Sequence, residues 1–203
     1  MDVTAANTAS RTGPPPGALP ADERSSPLAV GVVVWLASEV MFFGGLFAAW
    51  FVLKANNEPN WPPPGHHLDM ARMAVFTGVL VASSVTMHFA VEAAAHGRKR
   101  AVLRWLVFTI ALGAAFLVHE GLEWYELPFG FDTSAFSSIF YLLTGFHGLH
   151  VLGGLILMGV VAWVVLSPGS RVPLAVSVRV TSYYWHFVDV VWVVLFLTVY
   201  VNS

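Results

Sequence analysis

The chain has 203 residues, of which 57% are hydrophobic and 11% are charged. Soluble domains carry about 25% charged residues, so this composition excludes an ordinary soluble domain and predicts an integral membrane protein. The formal net charge of −2 gives no indication of nucleic-acid binding. The chain contains no cysteine, which excludes disulfides, thiolate catalysis and zinc–thiolate sites within it.

The first 27 residues form a polar segment rich in Pro, Ser, Thr and Ala. Such a composition cannot bury a core, so we expect residues 1–27 to be disordered or loosely attached. No short apolar region with a small-residue cleavage site precedes the first long apolar run, which argues against a cleaved signal peptide.

Five apolar segments follow, and each is long enough to cross the roughly 30 Å hydrocarbon core of a bilayer. They lie near 28–53, 72–95, 102–124, 136–166 and 178–201. The predicted fold class is therefore all-α: a polytopic membrane protein whose domain, residues 28–203, is a bundle of five transmembrane helices. The fourth segment exceeds the ~20 residues that a span needs, so it is expected to tilt or to extend beyond the membrane.

The basic residues predict the orientation of the chain. With the N-terminus in the cytoplasm, the inner side holds Arg11, Arg24, Arg98, Lys99, Arg100, Arg104, Arg171 and Arg179. The outer side holds only Lys54 and Arg72. Because Lys and Arg accumulate in cytoplasmic loops, this asymmetry predicts a cytoplasmic N-terminus and an outer C-terminus.

Glu39 is the only ionisable residue in the apolar run 32–51 and lies near the middle of the predicted span. An uncompensated charge at that depth costs at least ~2.5–3.5 kcal/mol, so Glu39 either carries a proton or faces a polar partner inside the bundle. A structural hydrogen bond and a proton-linked or lipid-linked role both remain open. Gly44 and Gly45, followed by Ala48 and Ala49, make a small-residue face that favours close helix packing.

Two groups of ionisable residues outside the first span are candidate sites, but their patterns do not predict a specific function. His66 and His67 are adjacent in a Pro-rich loop, where exposure or packing is favoured over metal ligation. Glu120, Glu123 and Glu126 recur every three residues at the end of the third span. An exposed outer rim is the favoured interpretation of these carboxylates, ahead of an acidic docking patch or a cation site. Glu123 is the best candidate for burial because aromatic residues follow it.

His147 and His150 in the fourth span are three residues apart and therefore neighbours on a helix. Gly145 and Gly148 beside them permit close helix contact. Interhelical hydrogen bonding is favoured here over heme or metal ligation, which needs additional ligands and supporting contacts.

His186 and Asp189 in the fifth span have the same three-residue spacing within an apolar run. A histidine–carboxylate pair lowers the cost of burying each partner. Structural pairing is favoured over a proton relay.

Several of these segments together resemble subunit III of the heme–copper respiratory oxidases of the cytochrome c oxidase type. The matching segments are Trp35-Leu-Ala-Ser-Glu39 with Met41-Phe42-Phe43, Glu123-Trp-Tyr-Glu126, Gly145-Phe-His-Gly-Leu-His-Val151 and Tyr184-Trp-His-Phe-Val-Asp-Val-Val-Trp192. Their order and spacing agree over roughly residues 28–203. Two positions depart from the family pattern: Trp124 replaces a tyrosine, and Glu120 stands where a glutamine is expected.

The resemblance implies a non-catalytic subunit of an aa3-type oxidase with five of the family's usual seven helices, corresponding to the last five. It implies that this chain binds neither metal nor redox cofactor, that subunit I carries hemes and copper, and that subunit II carries copper. Expected partners are subunit I by direct contact, subunit II, further oxidase subunits, membrane lipids with bound phospholipid, and a cytochrome bc complex in a supercomplex. The expected location is the bacterial plasma membrane. Glu39 corresponds to the family's reactive buried carboxylic acid.

Three alternatives remain at this point. The chain could belong to a quinol oxidase or to a nitric-oxide-reductase system, since the electron donor is determined by other subunits. It could be a stand-alone proton-coupled transporter, although no inverted repeat or broken-helix pair is evident. It could be a membrane metalloenzyme, although its histidines are spread over several spans.

Overall fold

The computed structural model describes residues 27–66, 68–167 and 173–202. Five helices occupy nearly all of this part of the chain, and no strand occurs within it: α1 Pro27–Asn57, α2 Met70–Ala95, α3 Lys99–Glu126, α4 Ala135–Leu166 and α5 Leu174–Phe196. A π-helical turn over Leu197–Val201 extends α5. All five helices are long and apolar enough to cross a membrane, which confirms the all-helical, five-span prediction. The 32 residues of α4 make it the longest helix, about 48 Å at 1.5 Å per residue.

Local polar residues determine where two of the helices begin. Asp69 precedes α2, and its side chain accepts a hydrogen bond from the backbone N–H of Arg72 at 3.0 Å. Ser134 and Ser137 form a reciprocal capping box at the start of α4. Gly97 turns the chain between α2 and α3 with a φ of +66°, a conformation that glycine adopts without the penalty of a Cβ.

The fifth helix is the most buried of the five and packs against α1, α2 and α4. The third helix packs against α2 and α4, whereas α1 lies against α4 and α5 at one side of the bundle. Many large apolar side chains point outward from every helix, as a lipid-facing surface requires. The first helix is the most exposed, so a large apolar face of α1 is left open.

Trp185 on α5 forms the centre of the packing. Its indole is fully buried between two glycines, Gly113 of α3 and Gly154 of α4. A Cβ placed on Gly113 would lie 2.7 Å from Trp185 Cη2, and a Cβ on Gly154 would lie 2.7 Å from Cε3. The indole N–H donates to Ser83 Oγ of α2 at 2.9 Å. One side chain therefore connects four helices, and this depends on the absence of side chains at two positions.

Some predictions fall on residues outside the described ranges. The polar N-terminal segment, apart from Pro27, lies outside them, as do Arg11, Arg24, His67 and Arg171. In the described part, Arg98, Lys99, Arg100 and Arg104 lie at the α2–α3 connection. Lys54 and Arg72 lie at the opposite end of the bundle, where Lys54 donates to the backbone carbonyl of Asn202. The orientation of this bundle in a membrane stays a prediction.

Candidate functional site

Glu39 of α1 meets His150 of α4 inside the membrane-spanning part of the bundle. Glu39 Oε2 lies 3.2 Å from His150 Nε2, and the two side chains are 20% and 17% exposed. His150 Nδ1 lies 2.7 Å from the carbonyl oxygen of Phe146, so Nδ1 carries a hydrogen and donates it. Nε2 of a neutral ring must then accept a hydrogen bond from the Glu39 carboxylic acid, whereas a charged ring donates a hydrogen bond to the Glu39 carboxylate. In both cases the contact holds one proton between Nε2 and Oε2.

Aromatic rings surround this contact. Phe43 of α1 places its ring 5.0 Å from the His150 ring in an edge-on arrangement. Tyr184 of α5 donates its hydroxyl to the His150 carbonyl oxygen at 2.9 Å, and Trp35 stacks on Tyr184 with ring centroids 5.4 Å apart. The carboxylic acid predicted near the middle of the first span is therefore part of a contact among α1, α4 and α5.

Ser84 of α2 connects His186 and Asp189 of α5. Its Oγ lies 2.9 Å from His186 Nδ1 and donates to Asp189 Oδ2, while Oδ1 of this buried aspartate has no hydrogen-bond partner. The sequence predicted direct pairing of His186 with Asp189, and in the described structure Ser84 lies between them instead. Sequence reasoning missed Ser84. The available signal was the pair of adjacent serines, Ser83 and Ser84, in the middle of an apolar span, since hydroxyls at that depth need partners.

His147 is fully buried. Its ring lies 4.7 Å from Trp192 of α5 and 5.9 Å from Phe116 of α3. The two neighbouring histidines of the fourth span thus face different helices. Among the described residues, no group of three or more His, Asp or Glu side chains could hold a metal ion.

The glycines predicted to aid packing lie in two different environments. Gly145 and Gly148 of α4 face side chains of α3: a Cβ on Gly145 would lie 3.1 Å from Trp124 Cη2, and one on Gly148 would lie 3.1 Å from a Glu120 carboxylate oxygen. A Cβ on Gly44 or Gly45 would meet no atom of this chain within 4 Å. Close packing at Gly44 and Gly45 therefore stays a prediction.

The prediction of an exposed rim is wrong for Glu120, which is 3% exposed. Glu123 is also buried, as its flanking aromatics indicated, and accepts a hydrogen bond from the Tyr200 hydroxyl at 2.7 Å. Glu126 is 55% exposed and pairs with Arg72. Each step of three residues turns about 60° backward around a helix, so the three carboxylates face α4, the π-helical turn and the surface in succession.

His66 of the Pro-rich loop packs against protein, consistent with the favoured interpretation over metal ligation. Its ring stacks on Phe129 at 4.4 Å, and Nε2 lies 3.3 Å from Ser134 Oγ. The loop is thus held against the start of α4.

Comparison with known proteins assigns nearly the whole chain to one family. Residues 22–203 match the family model for cytochrome c oxidase subunit III. A probable cytochrome c oxidase subunit 3 of Nocardia farcinica is 44% identical over 185 residues, covering 87% of this chain and 89% of the relative. Cytochrome c oxidase subunit 3 of Corynebacterium diphtheriae is 43% identical over 183 residues, with the same two coverages.

A more distant relative agrees with this assignment. Cytochrome c oxidase subunit 3 of Thermostichus vulcanus is 38% identical over 173 residues, covering 85% of this chain and 86% of the relative. Both the match over nearly the whole chain and the five-helix bundle agree with the motif-based expectation. The chain therefore belongs to the cytochrome c oxidase subunit III family and is a membrane subunit of a terminal respiratory oxidase.

Proposed function

We propose that this chain is the non-catalytic subunit III of an aa3-type oxidase that takes electrons from cytochrome c, and that it packs directly on subunit I. Hemes and copper would reside in subunit I and copper in subunit II, while this chain stabilises subunit I and supports proton uptake during oxygen reduction. The names of its relatives support the electron donor. Family membership favours this function over a quinol oxidase, a transporter or a metalloenzyme.

The observation that carries this proposal is the contact between Glu39 and His150 inside the bundle. Polar contacts between membrane helices contribute about 0.6–2 kcal/mol each, and a lipid tail offers no replacement for them. Two similar contacts join other elements of the bundle: Ser84 with Asp189, and Glu123 with Tyr200. A bundle held in this way presents a stable surface to subunit I and keeps the inner entrance of that subunit ordered.

The same contact supports a link to protons. One proton is held between Glu39 and His150, and both side chains retain partial exposure. The proposed support for proton uptake through subunit I rests on this acid–base contact, and conduction of pumped protons by Glu39 is not part of the proposal.

The surroundings of the complex follow from the same proposal. The chain would lie in the bacterial plasma membrane with its N-terminus cytoplasmic and its C-terminus outside, as the basic cluster 98–104 favours. Subunit II, further oxidase subunits, bound phospholipid and a supercomplex with a cytochrome bc complex are the proposed neighbours. Residues 1–27 would form a separate polar segment ahead of the domain 28–203.

Substitution of Glu39 in the complete oxidase tests the proposal. We expect Glu39→Ala to reduce the fraction of oxidase that retains this chain and to shorten the catalytic lifetime. Tyr125→Phe, which removes one hydroxyl at an 88% exposed position near the end of α3, is the control and should leave both unchanged. Glu39→Gln keeps a hydrogen bond to His150 but loses the acid, so a defect limited to turnover would indicate the proton-linked role.

Two results would contradict the proposal. Unchanged assembly, turnover and lifetime in Glu39→Ala would show that the contact has no role in the oxidase. Purification of the tagged chain without a heme-bearing subunit, under mild detergent, would show that it is not an oxidase subunit in the cell.

A further inference from the structure

A groove of about 450 Å³ lies between α3 and α4 on the outer surface of the bundle. Its walls are mostly apolar and include Leu117, Leu149 and Leu152. The volume falls within the roughly 300–1,000 Å³ of small-molecule sites. Because its apolar wall includes the exposed side chains of Leu149 and Leu152, the groove can be reached from the lipid.

Two polar groups in this α3–α4 groove have no partner. Both carboxylate oxygens of Glu120 are buried without a hydrogen bond, and so is the indole N–H of Trp124. The two residues are four apart on α3, so they lie on one face and both line the groove. A buried group without a partner costs about 1–3 kcal/mol, and the hydrocarbon core supplies no water to satisfy it.

The two other carboxylates at this end of α3 are engaged elsewhere. Glu123 accepts from Tyr200, and Glu126 pairs with Arg72. The backbone of α4 leaves room for Glu120, because Gly148 presents no side chain to its carboxylate. The groove therefore combines an apolar wall, an unpaired acceptor and an unpaired donor.

We infer that the α3–α4 groove binds an uncharged, membrane-soluble molecule with a hydroxyl group at its polar end and an apolar remainder. The hydroxyl donates to Glu120, and an oxygen of the same molecule accepts from the Trp124 N–H. A phosphate-bearing head group does not suit the groove, because its charge would be buried in the hydrocarbon region and no basic residue among those described lines the groove to pair with it. A quinol and a diacylglycerol both carry this chemistry. The inference does not depend on the proton-linked role of Glu39.

Photolabelling of the complete, detergent-solubilised oxidase tests the inference. The probes are a long-chain alcohol with a diazirine in its chain and the methyl ether of the same alcohol, and mass spectrometry locates the labelled peptide. A hydrogen bond between uncharged groups is worth about 0.5–1.5 kcal/mol, so the alcohol should label the α4 segment 142–152 about 2- to 12-fold more efficiently than the ether, which cannot donate.

Two variants separate recognition from folding. Glu120→Leu keeps the side-chain volume and should abolish the preference for the alcohol. Leu152→Trp fills the groove from a lipid-facing position and should reduce labelling by both probes while Glu120 stays intact. The optical spectrum and retention of the tagged chain report assembly in both. Competition by an added short-tail quinol or by diacylglycerol identifies which source of the hydroxyl is preferred.

Two outcomes would overturn the inference. Equal labelling by alcohol and ether in the unsubstituted protein would show that the groove recognises no hydroxyl. The absence of labelling in segment 142–152, with label on other lipid-facing segments, would show that a neighbouring subunit covers the groove. Failure of the chain to assemble with a heme-bearing subunit would instead contradict the proposed function.

Discussion

Replacing Gly154 with alanine should destabilise the bundle at its centre. The added Cβ would lie 2.7 Å from Trp185 Cε3, whereas non-bonded carbons prefer about 3.5–4.0 Å. The indole cannot slide away, because its opposite edge lies against the backbone of Gly113 and its N–H is held by Ser83. Overpacking of this kind costs about 1–3 kcal/mol.

Gly159→Ala is the matched control on the same helix, since a Cβ there meets no atom within 4 Å. Both variants gain about 1 kcal/mol in helix propensity, so the difference between them isolates the contact with Trp185. For a chain of this size, each kcal/mol shifts Tm by about 2–4 °C, which places Gly154→Ala about 2–12 °C below Gly159→Ala.

The assay is loss of soluble tagged chain after stepwise heating of the detergent-solubilised oxidase. Each variant is compared with the unsubstituted complex in the same detergent. Equal Tm values for Gly154→Ala and Gly159→Ala would refute the reasoning, because they would mean that Trp185 is free to move.

Three further substitutions compare buried with exposed polar groups in the same assay. Tyr200→Phe removes the hydroxyl that donates to buried Glu123 and should cost about 1–3 kcal/mol, whereas Tyr125→Phe, at an 88% exposed position, should leave Tm unchanged. Arg72→Ala breaks an ion pair whose side chains, Arg72 and Glu126, are 38% and 55% exposed, and should cost less than about 1 kcal/mol. A larger loss in Arg72→Ala than in Tyr200→Phe would contradict this ranking.

The sequence predicted many residues of the candidate site but not which of them contact one another. The position of Glu39 near the middle of a span was evident from the sequence. A single carboxylate in an apolar run can be recognised without knowing how the helices pack. Its partner was not evident, since His150 lies 111 residues away and also had His147 as a neighbour. Only the rotation of α4 decides which of the two histidines faces α1.

The carboxylates of the third span show the same limit. Their spacing predicted neighbours on one helix end, but burial depends on which elements cover that end. Glu120 is buried because α4 presents Gly148 there, and Glu123 because the π-helical turn brings Tyr200 to it. Neither contact could be predicted from the local sequence of residues 120–126.

The sequence by itself determined the five membrane spans and the family. Span length and apolar composition are local properties that the thickness of a bilayer selects, and the family motifs are contiguous stretches of residues. The tertiary structure alone decided which buried polar groups meet: Ser84 between His186 and Asp189, Trp185 between two glycines, and Glu120 without a partner in a groove. These contacts depend on how helices distant in sequence rotate and approach one another, and that arrangement is fixed by the packing of all five together.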